Sequence, residues 1–134
     1  MEGERKAAMS IDPETTYIHL EADGSATQIE GGDRFWSLPP DMIDRFARGW
    51  LVSEYVFEED WRNWEMHPHG DEFVYLLSGE AEILLEEEAG IRSIMLRGRG
   101  AVLVPKGIWH TARVRAPCRM LHITRGEGTQ HRTV

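Results

Sequence analysis

With 134 residues, 15 Lys+Arg against 23 Asp+Glu and a formal net charge of −8, the chain is sized for one domain that buries its own core. It gathers no basic stripe of the kind a phosphate backbone requires, which excludes nucleic acid as a partner. The single cysteine, Cys118, excludes an intrachain disulfide, fits a reducing cytoplasm and is expected to be a small buried apolar residue.

The opening stretch, "MEGERKAAMSIDPE", carries charges where a signal peptide needs apolar residues, and no window approaches the ~18 consecutive apolar residues of a membrane span. A cytoplasmic protein with no membrane partner is expected. Residues 1–14 are polar and unpatterned and predict a loosely ordered leader, leaving 15–134 as a single domain. From Thr15 onward, short β-branched and aromatic runs alternate with Gly, Pro or Asp every eight to twelve positions, the spacing of an all-β sandwich or barrel. "TYIHL" and "ATQIE" flank Asp23-Gly24, a dipeptide suited to a tight hairpin. One short helix is predicted near the N-terminus, over "PPDMIDRFA" at 39–47. Pro40 there suits the first helical position, and Met42, Ile43 and Phe46 fall on one side.

After Gly49 the predicted strands are "WLVSEYVF", "NWEMH", "EFVYLLS", "AEILLEE", "IRSIML", "AVLVP", "HTARVR" and "CRMLHIT". Ala81, Ile83 and Leu85 alternate with Glu80, Glu82 and Glu86, so one face is dry and the other wet. The run Glu86-Glu87-Glu88 reads as a solvated hairpin tip. Eight or more strands with almost no helix imply a closed or doubled sheet, which limits exposed edges.

The segment "WEMHPHGDEF" concentrates groups that can bind a metal. A ligand set for a divalent ion needs side chains from at least two strands, because one strand presents only alternate residues to a face. Glu65, His67 and His69 share a parity, and Glu72 is brought round by the turn at 69–71. "VPKGIWH" supplies the second strand: Pro105 and Gly107 shape a tight turn that delivers His110. His67, Glu72 and His110 would then form a three-ligand face with open positions on the metal.

These residues resemble the two metal motifs of the cupin superfamily. The first motif reads G, five residues, H-x-H, three or four residues, E, six residues, G, and Glu72 with Gly79 matches its second half. The second reads G, five residues, P-x-G, two residues, H, three residues, N, and Pro105, Gly107 and His110 match its middle. Arg99 stands where that motif begins with Gly, and Val114 stands where it ends with Asn. His69 lies too close to Glu72 for the first motif. The better register therefore puts His67 in the second histidine's place and Glu65 in the first's, with His69 as a rim residue or substitute ligand.

The resemblance spans about residues 50–123. It implies an all-β, cupin-type double-stranded β-helix (jelly-roll barrel) holding a divalent Fe, Mn, Ni or Zn ion beside a small-molecule pocket, and strand parity makes Glu72, Val74 and Leu76 the expected wall of that pocket. It also puts His122 near that pocket, whereas His19 and His131 read as ordinary hydrogen-bonded residues. Metal-dependent dioxygenation or isomerisation are the reactions it makes available. The alternative is a non-catalytic small-molecule-sensing barrel, with or without metal. A homodimer paired through an edge strand of the N-terminal hairpin is expected.

Overall fold

The computed structural model describes residues 8–134. Strand β1 (Thr16–Leu20) turns into β2 (Ala26–Glu30) through Asp23-Gly24. Gly24 takes φ 94°, which glycine adopts without a Cβ clash, and the Asp23 carboxylate accepts a 2.8 Å hydrogen bond from the Ser25 N–H, closing the turn. Two short helices follow where one was predicted: α1 (Asp33–Trp36) and α2 (Pro40–Ala47). Pro40 starts α2 as expected, because a helix leaves its first N–H groups unpaired in any case. α1 is a single turn, too short for its apolar spacing to register as a period. Its Phe35 packs edge-on against Tyr17 at 5.4 Å and helps build a small core with Leu51.

Seven further strands form the barrel: β3 (Trp50–Phe57), β4 (Asn63–Met66), β5 (Glu72–Glu87), β6 (Gly90–Arg97), β7 (Ala101–Val104), β8 (His110–Thr124) and β9 (Gln130–Thr133). The sheet runs β2-β1-β3-β8-β4-β9, and β5 pairs with β6, β7 and β8. Every paired ladder is antiparallel. The main core lies inside, built on Val74, Leu76, Ile83, Leu85, Val104 and Met120. At the far end Glu87 pairs across from Gly90, and Glu88 is exposed at the predicted hairpin tip.

Two strands are longer than predicted. "EFVYLLS" and "AEILLEE" are one strand, β5, and "HTARVR" and "CRMLHIT" are one strand, β8. Gly79 and Pro117 look like strand breaks in the sequence; here they sit where the β5–β8 register shifts, between Ser78↔Arg119 and Glu80↔Ala116. A bulge is where a sheet tolerates an absent N–H and a positive φ, and Gly79 takes φ 87°. A Cβ at Gly79 would run into the Pro117 carbonyl and lie 2.6 Å from Cys118 Cα.

The bulges let the ribbon double back. His110 lies across from Leu85 in the ladder, and Leu85 is thirteen residues along β5 from Glu72. A straight strand of that length would span about 43 Å. Yet the His110 and Glu72 side chains are 3.0 Å apart, so the β5–β8 ribbon must curl until its two ends meet across the interior.

Residues 1–7 of the expected leader lie outside the described residues. The chain is tied to the barrel from about residue 13: the Pro13 carbonyl accepts from the Glu54 N–H at 3.1 Å, and Glu14 takes a 2.9 Å hydrogen bond from Arg119. Among the described residues, no helix is long and apolar enough to cross a membrane.

Candidate metal centre

Three side chains converge where the ribbon closes. His67 follows β4, Glu72 opens β5 and His110 opens β8. Glu72 Oε1 is 3.0 Å from His110 Nε2 and 3.5 Å from His67 Nε2, and the three ligand atoms lie within 4.8 Å of one another. The residues are 4 %, 1 % and 5 % exposed respectively. Among the described residues, none of the three atoms makes a well-aligned hydrogen bond. A buried polar atom left unpaired costs about 1–3 kcal/mol, so three facing each other call for a cation or a proton between them.

The surrounding hydrogen bonds fix which atoms face inward. Thr129 Oγ1 donates to the Gly126 carbonyl at 2.8 Å, so its oxygen is left to accept from His67 Nδ1, also at 2.8 Å. His110 Nδ1 lies 3.2 Å from the Ile108 carbonyl, which can only accept. When neutral, both imidazoles therefore carry their proton on Nδ1 and turn an Nε2 lone pair toward Glu72, open to a metal; without one, a second proton on Nε2 can be donated to Glu72. Glu72 is oriented in the same way: its Oε2 accepts from Thr124 Oγ1 at 2.5 Å and from His122 Nδ1 at 3.3 Å, leaving Oε1 free. This is the outer support that ligating groups require.

Burial pushes the Glu72 carboxyl up, but hydrogen bonds from His110, His122 and His67 outweigh it and hold Glu72 well below its ordinary 4.5. Burial pushes His110 down; the hydrogen bond and negative charge of Glu72, aided by Glu65, carry it above its ordinary 6.5. The centre thus keeps its carboxylate ionised and favours positive charge beside it.

The other predicted site residues are less central. Glu65 is half-buried directly across from His110, with Oε1 3.9 Å from His67 Nε2 and 3.8 Å from His131 Nε2. It lies at the edge of the cluster. His69 is exposed and outside the three-residue group. His19 packs against Phe46 in the N-terminal layer. His122 is buried, with its ring 5.3 Å from that of Tyr55 and 5.9 Å from that of Trp61.

An open cavity of ≈ 1040 Å³ lies over the centre. Its wall differs from the expected one: Glu72 lines it, but Val74 and Leu76 are fully buried in the core and do not. Strand parity identifies inward-facing positions without saying how deep each one sits. Tyr55, Phe57, Trp61 and His122 supply the wall instead. Thr124 and Thr129 carry no signal in the sequence, since each reaches the centre through a partner 52 or 62 residues away, Glu72 and His67 respectively.

Two imidazoles and one carboxylate suit a divalent first-row metal such as Fe, Mn, Ni or Zn, and the three unpartnered atoms fit such an ion. Residues 56–124 match the family described as Cupin domain. No curated protein matches the sequence. Among solved structures, the chain is similar to a cupin-2 domain containing protein from Shewanella frigidimarina, at 20 % identity over 55 % of this chain and 68 % of that one, TM-score 0.48. It is similar to a cupin superfamily protein from Desulfitobacterium hafniense, at 25 % identity over 56 % of this chain and 65 % of that one, TM-score 0.48. It is also similar to oxalate decarboxylase from Bacillus subtilis, at 18 % identity over 63 % of this chain and 24 % of that one, TM-score 0.54. The chain spans about a quarter of the decarboxylase's length, and the likeness at that identity is one of fold.

Proposed function

Because this chain belongs to the cupin domain family, we propose that it is a metal-dependent dioxygenase or isomerase of a small organic molecule, with its divalent ion held by His67, Glu72 and His110. The observation that carries this reading is the convergence of three buried ligand atoms without hydrogen-bond partners. The proton positions on both imidazoles direct lone pairs to the same point. When bound, an ion at that point supplies Lewis-acid or redox chemistry at coordination positions the protein leaves open.

The chain's own residues then have separable tasks. Thr129 and the Ile108 carbonyl hold the imidazoles in register. Thr124 and His122 aim the carboxylate. Trp61, 5.4 Å from Phe57 and 6.1 Å from His110, screens the ligand atoms from bulk water, which strengthens electrostatic contacts there. Glu65 is the next carboxylate within reach and the candidate fourth ligand.

A metal-free binding or sensing barrel is the second reading. It is favoured by the 3.0 Å His110–Glu72 contact, which a proton on His110 Nε2 would satisfy. Elemental analysis of protein purified without a nickel column separates the two. One Fe, Mn, Ni or Zn per chain, lost in His67→Ala and His110→Ala, is the expected result. Wild-type protein with no metal above background, and none taken up on incubation, would retire the enzyme reading in favour of the sensor.

A further inference from the structure

The cavity over the centre has a composition that selects its occupant. Five aromatic side chains line it, Phe35, Trp36, Tyr55, Phe57 and Trp61, giving flat apolar walls sized for a ring. Its charged lining is one-sided: among the described residues, Asp44, Glu58, Glu59, Asp60, Glu65 and Glu72 line it with one guanidinium, Arg62. Asp44 is partly offset by Arg48 at 3.5 Å, and Asp60 accepts from the Val114 N–H at 2.7 Å. A backbone N–H leaves that carboxylate's charge in place. A divalent ion on His67, Glu72 and His110 would cancel two negative charges, and the excess would stay negative.

Among the described residues, two buried polar atoms of the wall have no partner, Trp61 Nε1 and His122 Nε2. His122 Nδ1 lies 3.3 Å from Glu72 Oε2, an acceptor, so in the neutral ring Nε2 is left as an acceptor toward the cavity. Trp61 Nε1 can only donate. A ligand with an N–H or O–H group on an apolar ring meets the first need. A carboxylate brings no donor to His122 and adds like charge to an acidic lining, which disfavours it at low ionic strength.

We propose that the cavity takes a small ring compound bearing an amine or hydroxyl group, neutral or cationic, and discriminates against carboxylates. This rests on the reading of the cavity as the substrate site, and it specifies the substrate class. It also separates the chain chemically from the dicarboxylate named in the oxalate decarboxylase of similar fold.

The test uses benzylamine, benzyl alcohol, benzoate and oxalate as probes against the whole protein, with its metal content measured on the same preparation. Binding is followed by calorimetry and by tryptophan fluorescence at low ionic strength. Benzylamine and benzyl alcohol are expected to bind, with benzylamine about tenfold or more tighter than benzoate; tenfold is about 1.4 kcal/mol. The double substitution Glu58→Gln with Glu59→Gln should narrow the amine-to-acid ratio and leave benzyl alcohol unchanged. Benzoate or oxalate binding as tightly as benzylamine, or no binding of either benzylamine or benzyl alcohol at millimolar concentration, would overturn the proposal. The metal assay reports separately: absent metal with amine preference intact defeats the enzyme reading alone, and bound metal with carboxylate preference defeats the substrate class alone.

Discussion

Replacing Thr129 by valine tests how the centre is held together, because the change keeps the side chain's shape and deletes one hydroxyl. In the native protein that hydroxyl accepts from His67 Nδ1 at 2.8 Å and donates to the Gly126 carbonyl at 2.8 Å. His67 is 5 % exposed, so water cannot readily replace the lost partner. The unpaired Nδ1–H should cost the metal-free protein about 1–3 kcal/mol. It can also be relieved by moving the proton to Nε2, which removes the lone pair a metal needs. Loss of this kind of outer support typically weakens metal binding by about 10–100-fold. Competition with a chromophoric chelator measures that directly for wild type, Thr129→Val and Thr129→Ser. Serine restores the hydroxyl without the methyl and should recover affinity to within a few-fold, whereas a purely structural role of the loop would leave serine impaired too. A valine variant that holds metal as tightly as wild type would refute the argument that Thr129 sets the His67 tautomer.

The same pair of groups predicts how metal-free stability follows pH. Glu72 is held well below its ordinary 4.5, so its contribution is fully present above 4.5 and is lost as pH falls through its folded value. His110 is held above its ordinary 6.5, so its contribution is full below 6.5 and fades as pH rises through its folded value. Urea denaturation across the acid range should therefore show the largest difference between wild type and Glu72→Gln between about pH 4.5 and 6.5; a difference independent of pH would contradict the linkage. Gly79→Ala strikes the bend itself. The new Cβ meets backbone of Pro117 and Cys118, which cannot swing aside, at a φ of +87°. A loss of about 3 kcal/mol or more is expected in urea denaturation, accompanied by weaker metal retention; a loss below about 1 kcal/mol would mean the curl does not depend on this glycine.

Much of this architecture is legible where sequence carries a local period. β1, α2 and β3 fall on the predicted stretches because each turns one alternating or helical face inward, and β2, almost wholly exposed, is marked by the Asp23-Gly24 turn that pairs it with β1. β9 is different. Its residues "QHRT" are all exposed, so no apolar alternation marks them, and they become a strand only by pairing with β4. Gly79 and Pro117 misled in the opposite direction, since both are usually punctuation and here they permit a strand to bend and continue. At the centre, parity and turn chemistry bring forward His67, Glu72 and His110. The contributions of Thr124, Thr129 and His122 are set by long-range contacts that no local pattern encodes. Parity also pointed to Val74 and Leu76 as pocket walls, although they pack inside the main core and do not line the cavity.

The curled β5–β8 ribbon has one more implication. Glu72 and His110 are opposite ends of a single hairpin-like band, and an ion gripping both would act as a buckle on it. Unravelling the barrel would then first require releasing the ion, so resistance to heat or protease should scale with the logarithm of free metal concentration. Supply of the ion in the surroundings would set how long the folded chain survives as well as what it can do.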